Sequence, residues 1–177
     1  MRRAFRRNRR KAFAQNIPPV LQEANLALDK GEYGRAAVLF EKMARAADTR
    51  GGPRAPLLHL QAGRTRVYAG QTELGMPSLK RGMELLANRQ QYSHLHQAGI
   101  RVIAELKERG LENEGAEIES LLSQILPKTF SAKRMVKRPV LPTHCPACGA
   151  PLRPDEVEWL DEVTAECGYC GSPARSG

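Results

Sequence analysis

Four thiols set in two matched pairs are the residues best suited to chemistry in this chain. Cys145-Pro-Ala-Cys148-Gly149 and, eighteen residues later, Cys167-Gly-Tyr-Cys170-Gly171 hold every cysteine of the 177-residue sequence. Two residues between cysteines let the backbone fold into a knuckle that turns both sulfurs toward one ion, and two knuckles complete a four-thiolate shell. Gly149 and Gly171 stand just past the second ligand of each pair, where the knuckle needs a positive φ. Pro146 stiffens the first turn. A tetrahedral Zn2+ closed on Cys145, Cys148, Cys167 and Cys170 leaves no open position for water or substrate, so one ion with a structural role is expected. Two disulfides would call for an export signal, and redox C-x-x-C pairs come singly and open a helix. His144 precedes the first ligand and reads as a solvated linker residue.

Between the pairs, Val157 and Trp159 alternate with Glu156 and Glu158, and Val163 and Ala165 alternate with Thr164 and Glu166. Both runs predict short half-buried strands. Strands flanked by two C-x-x-C-G knuckles resemble the zinc ribbon of bacterial zinc-ribbon-domain proteins, and the resemblance implies a small β module over residues 145–177. Such a segment is too small to stand on its own core. Metal binding, on the order of 10 kcal/mol in comparable peptides, is expected to supply most of its stability.

Upstream the pattern is helical from Ile17 to Leu126. Pro18-Pro19 suits a first turn, and Leu21, Ala24, Ala27 and Leu28 form a stripe ending at Lys30-Gly31. Ala36, Ala37, Leu39, Phe40, Met43 and Ala47 line a second helix, broken by residues 48–53. A second pair is predicted over residues 56–69 and from Pro77 onward. A third is capped at Ser93, turns at Gly110 and stops at Pro127. The turn glycines Gly31, Gly70 and Gly110 are 39 and 40 residues apart, a near-constant period that marks stacked helical hairpins.

In the first hairpin Ala24, Ala27, Gly31, Tyr33, Ala36 and Phe40 match the small-residue, Gly-x-Tyr and Ala-x-x-x-Phe positions of a tetratricopeptide repeat, which the segment resembles. The second keeps Gly63, Gly70, Gly75 and Leu79 but has Arg66 where an aromatic is usual. The third keeps Gly110 and Gly115 but places Glu119 where a large apolar residue belongs. The fold class that follows is mostly α: a three-hairpin tetratricopeptide-like array with a small C-terminal β ribbon. The resemblance implies a scaffold that binds peptides or helices along a concave surface. Gln61, Arg64, Arg66 and Arg101, on first helices of the second and third hairpins, are the candidate groove, against the simpler reading that they are solvated helix positions.

Charge divides the chain into four segments. Residues 1–11 carry seven basic groups and no acid, residues 12–126 fourteen basic and thirteen acidic, residues 127–144 five basic and no acid, and residues 145–177 two basic and six acidic. The expected organisation is a basic tail over 1–16, a helical domain over 17–126, a Pro-containing basic linker over 127–144 and the ribbon over 145–177. Arg2, Arg3, Arg6, Arg7, Arg9, Arg10 and Lys11, with Lys133, Arg134, Lys137 and Arg138, are candidate contacts to a polyanion, either nucleic-acid phosphate or an anionic membrane surface. Asp155, Glu156, Glu158, Asp161, Glu162 and Glu166 would repel phosphate from the ribbon. No run approaches the roughly eighteen apolar residues of a membrane span. The basic start lacks an apolar h-region, so a cytoplasmic protein is expected. His94 and His96 are two apart and cannot chelate one ion from one helix face, and His59 sits alone among apolar residues. No phosphate loop, nucleophile elbow or paired carboxylates nominate an active site. The expected function is a non-enzymatic adaptor that recruits a protein partner; the alternative is a nucleic-acid-binding protein using tail, linker and ribbon.

Overall fold

The computed structural model of the chain describes residues 17–130, 139–154 and 157–176. Among them are six helices in three hairpins: α1 (Pro19–Asp29) with α2 (Tyr33–Thr49), α3 (Ala55–Tyr68) with α4 (Thr72–Asn88), and α5 (Tyr92–Glu108) with α6 (Glu112–Ile125). A small antiparallel sheet follows, β1 (Glu158–Trp159), β2 (Thr164–Glu166) and β3 (Pro173–Arg175), in the order β1-β2-β3. Trp159 faces Ala165 across the first pair, and Ala165 faces Ala174 across the second. The mostly α architecture with a small β part is as expected. No helix among the described residues is long and apolar enough to cross a membrane.

One closure is repeated down the array. Gly31, Gly70 and Gly110 take φ of 75°, 71° and 73°. In each case the next N–H reaches back to the carbonyl five residues earlier: Glu32 to Ala27, Gln71 to Arg66 and Leu111 to Leu106, at 2.9–3.0 Å. This Schellman turn needs a left-handed residue, and glycine adopts it without a Cβ penalty. The junction between the second and third hairpins closes in the same way through Gln90 (φ 56°), the one described non-glycine residue in that region.

Two expected boundaries are corrected. Pro77 does not begin α4; the helix starts five residues earlier at Thr72 and carries the proline inside it. The carbonyl this leaves without a donor belongs to Glu73, an exposed residue of the first turn. Ser93 does not cap α5 either, because Gln91 holds the N-cap position and no side chain caps it. At the far end Leu126 leaves the helix at ψ 133°, the extended geometry that Pro127 imposes on its predecessor.

α3 is the axis of the molecule, and eleven of its fourteen residues are buried. Its neighbour α4 approaches closely because both carry glycine at the crossing. A Cβ on Gly63 would lie 2.8 Å from the Gly75 carbonyl oxygen, and one on Gly75 would lie 2.7 Å from that of Gly63. Around this axis the apolar side chains form two cores. The first gathers Leu21, Ala24, Phe40 and Leu58 with Leu141, Leu152, Val157 and the four cysteines. The second joins Leu60 and Val67 to Leu79, Leu95, Val102 and Ile118. The C-terminal lobe therefore shares a core with the first hairpin and one side of α3.

Candidate metal centre

Each cysteine pair sits in a knuckle of the same construction. Cys145 N–H donates to Ala150 O (2.8 Å) and Gly149 N–H to Cys145 O (2.9 Å); Cys167 N–H donates to Ser172 O (2.9 Å) and Gly171 N–H to Cys167 O (2.8 Å). Gly149 and Gly171 take φ of 73° and 77°, the conformation that lets the chain leave each turn. The first knuckle is tied at its base by an antiparallel bridge between His144 and Pro151, the second by the β2–β3 pairing. β3 escaped the sequence reading because a three-residue strand opening on proline carries almost no alternation.

All four sulfurs are buried, and they lie within 4.8 Å of one another. Cys145 Sγ is 3.7 Å from Cys170 Sγ, and Cys148 Sγ is 3.8 Å from Cys167 Sγ. Four metal–sulfur bonds of about 2.3 Å in a tetrahedron place the sulfurs about 3.8 Å apart, whereas a disulfide brings two sulfurs to about 2.0 Å. The donor set fits a tetrahedral thiophilic cation. Proton affinities split within the cluster. Hydrogen bonds with Cys148 and Cys167 bring the Cys145 thiol down to about 6, and Cys170 is lowered as well, first by Cys145. Cys148 and Cys167 are driven up, in both cases first by Cys145. Adjacent thiols cannot all shed their protons unless a positive charge joins them, which is what a divalent ion provides. The Ser172 N–H points at Cys170 Sγ (3.4 Å), adding a donor to one sulfur.

The lobe is seated on the first helices of two hairpins. Asn25 Nδ2 of α1 donates to Cys148 O at 2.8 Å, and Tyr169 Oη donates to Gln61 Oε1 of α3 at 3.1 Å. Burial raises the Tyr169 phenol above its ordinary value, so it stays a donor. At the outer end of the lobe Asp161 Oδ1 accepts from the N–H groups of Val163 (2.9 Å) and Thr164 (2.7 Å), and these bonds, Val163 first, hold its carboxyl below the usual range.

The four residues proposed for a partner groove fall in different settings. Gln61 and Arg64 are buried under the lobe. Arg64 Nε reaches Glu105 Oε2 at 2.7 Å; burial alone would weaken its charged form, but the Glu105 carboxylate outweighs that and holds the guanidinium charged. Arg66 points the other way and clamps Glu41 of α2 with two bonds of 2.6 and 2.8 Å. Arg101 is half-buried beside Tyr169 at the α3–α5 junction. Arg2, Arg3, Arg6, Arg7, Arg9, Arg10 and Lys11, and Lys133, Arg134, Lys137 and Arg138, lie outside the described residues, as do Asp155 and Glu156. His144 is exposed, with Nε2 3.5 Å from Asp29 Oδ1. His59 is buried, with Nε2 3.3 Å from Asp48 Oδ2. An apolar cleft of about 850 Å³ opens between α1, α2 and the lobe, floored by Val20, Leu21, Met43, Ala47 and Leu58.

No protein-family model matches the chain, and no curated protein or solved structure is significantly similar to it.

Proposed function

We propose that the protein is a non-enzymatic adaptor, a tetratricopeptide-like array that recruits a protein partner and carries a zinc ribbon built on one structural Zn2+. The carrying observation is the quartet of buried sulfurs at tetrahedral separations, closed on all sides by the chain. A shell of four thiolates offers the ion no substrate position, so its contribution is to hold structure. Zinc is the ion of choice because an all-thiolate tetrahedron suits its softness and its lack of geometric preference. Gln61 and Arg64 are taken up inside the chain by Tyr169 and Glu105, so the surface that supports a recognition role is the open apolar cleft between α1, α2 and the lobe.

Affinity purification of the untagged-terminus protein from its host, with and without nuclease, tests this reading. A protein partner that survives nuclease and the deletion of residues 1–11 is the expected result. Recovery of nucleic acid alone, lost on that deletion and steeply weakened by salt, would replace the adaptor with the nucleic-acid reading that the seven basic groups of the tail favour.

A further inference from the structure

The two knuckles meet the helices through a repeated spacing. On α1, Gln22, Asn25 and Asp29 stand at i, i+3 and i+7, one helix face. Gln22 Nε2 donates to Ala147 O (3.3 Å), Asn25 Nδ2 donates to Cys148 O (2.8 Å), and Asp29 Oδ1 approaches His144 Nε2 (3.5 Å). On α3 and its N-cap, Arg54, Leu57 and Gln61 repeat the spacing against the second knuckle. A Cβ on Gly171 would lie 2.5 Å from Arg54 Nη2, and one on Gly168 would lie 2.7 Å from Leu57 Cδ1. Gln61 accepts from Tyr169. The lobe side of every one of these contacts lies in a knuckle or within one residue of it.

We propose that metal loading of the four cysteines gates the α1–α3 face, because the turns that hold the ion are the same turns that seat the lobe. This rests on the zinc reading given above. The carbonyls of Ala147 and Cys148 point at α1 only while Cys145 and Cys148 face a common centre, and Gly168 and Tyr169 meet α3 only while Cys167 and Cys170 do. When the knuckles relax, α2 is the described helix packed most extensively on α1, and Leu21, Ala24 and Leu58 come into contact with water. Coupling of this kind is reciprocal: a weakened seat must weaken metal binding. The lobe is thus a self-supplied cover whose hold on the array depends on the ion, a metal-responsive clasp on α1 and α3 and not an independent zinc module.

The full chain in reducing buffer, loaded with Zn2+ or treated with EDTA, provides the test. Hydrogen exchange is followed in α1 and, as an internal control, in α6, while zinc content is measured in the same samples. Chelation is expected to accelerate exchange in α1, leave α6 close to unchanged and raise the binding of an apolar dye. Asn25→Ala and Gln61→Ala keep all four cysteines and remove one seat contact each, and each is expected to bind Zn2+ about tenfold more weakly than the parent in competition with a chromophoric chelator. The proposal is overturned if zinc leaves and α1 exchange does not change, or if both variants bind Zn2+ within about twofold of the parent. If the parent binds no zinc, the metal reading fails and this one with it.

Discussion

Single residues carry three separable tests. Removing one thiolate from a closed shell leaves three strong ligands and an unfilled tetrahedral position, so Cys148→Ser is expected to drop zinc content from one per chain toward zero, read by elemental analysis. Gln90 shows what the closure at Gly31, Gly70 and Gly110 costs when a side chain must adopt it. It is exposed, and its φ of 56° strains a Cβ for no packing gain. Gln90→Gly is expected to stabilise the fold by about 1 kcal/mol, seen as a higher urea midpoint. His59 and Asp48 set a pH response. Burial lowers the His59 imidazole, with Asp48 partly opposing, while Arg81 first and His59 later hold the Asp48 carboxyl down. Both folded values lie below the unfolded ones, so the unfolded chain binds more protons and stability falls with acid. For His59 the loss begins below about pH 6.5 and for Asp48 below about pH 4. His59→Gln should flatten the fall of the thermal midpoint on the upper part of that range, compared with the parent in parallel melts. The knuckle residues were legible in the sequence because five consecutive positions determine the turn. Gln61 and Arg64 were not, because the partners that bury them, Tyr169 and Glu105, are 108 and 41 residues away.

At the scale of elements, the same substitution should act with opposite sign at two glycines of corresponding helices. Gly75 lies against the backbone of Gly63, and an added methyl would meet its carbonyl oxygen at 2.7 Å; Gly34 is exposed in the first turn of α2 with nothing within 4 Å. Gly75→Ala is expected to destabilise by about 1–3 kcal/mol through forced separation of α3 and α4. Gly34→Ala is expected to stabilise by about 0.5–1 kcal/mol through lower backbone entropy in the unfolded chain. Chemical denaturation of the two variants side by side decides both. The hairpins were readable because their stripes and turn glycines recur with a fixed period. The start of α4 was not, since a proline in a helical pattern usually marks a first turn, yet Pro77 is tolerated five positions in, where the carbonyl it strands belongs to an exposed residue. Ser93 has the composition of a cap, but the preceding Schellman closure at Gln90 had already fixed where α5 begins.

At the scale of the whole molecule, the lobe and the first hairpin share one core, with Cys145, Cys148, Cys167 and Cys170 packed among Leu21, Phe40 and Leu58. Sequence spacing points to a metal site in 145–177; it does not show what the module leans on, because seating depends on contacts more than a hundred residues apart. Stability that would otherwise fall to the ion alone is shared with the helices, because the lobe is built into the core of the array. The most direct measurement is sulfur coordination and metal stoichiometry on the untagged, reduced protein, by elemental analysis with X-ray absorption at the metal edge. One zinc per chain surrounded by four sulfurs at about 2.3 Å is the predicted result. Absence of a stoichiometric metal, or a zinc retained with full occupancy after Cys148→Ser, would contradict the account.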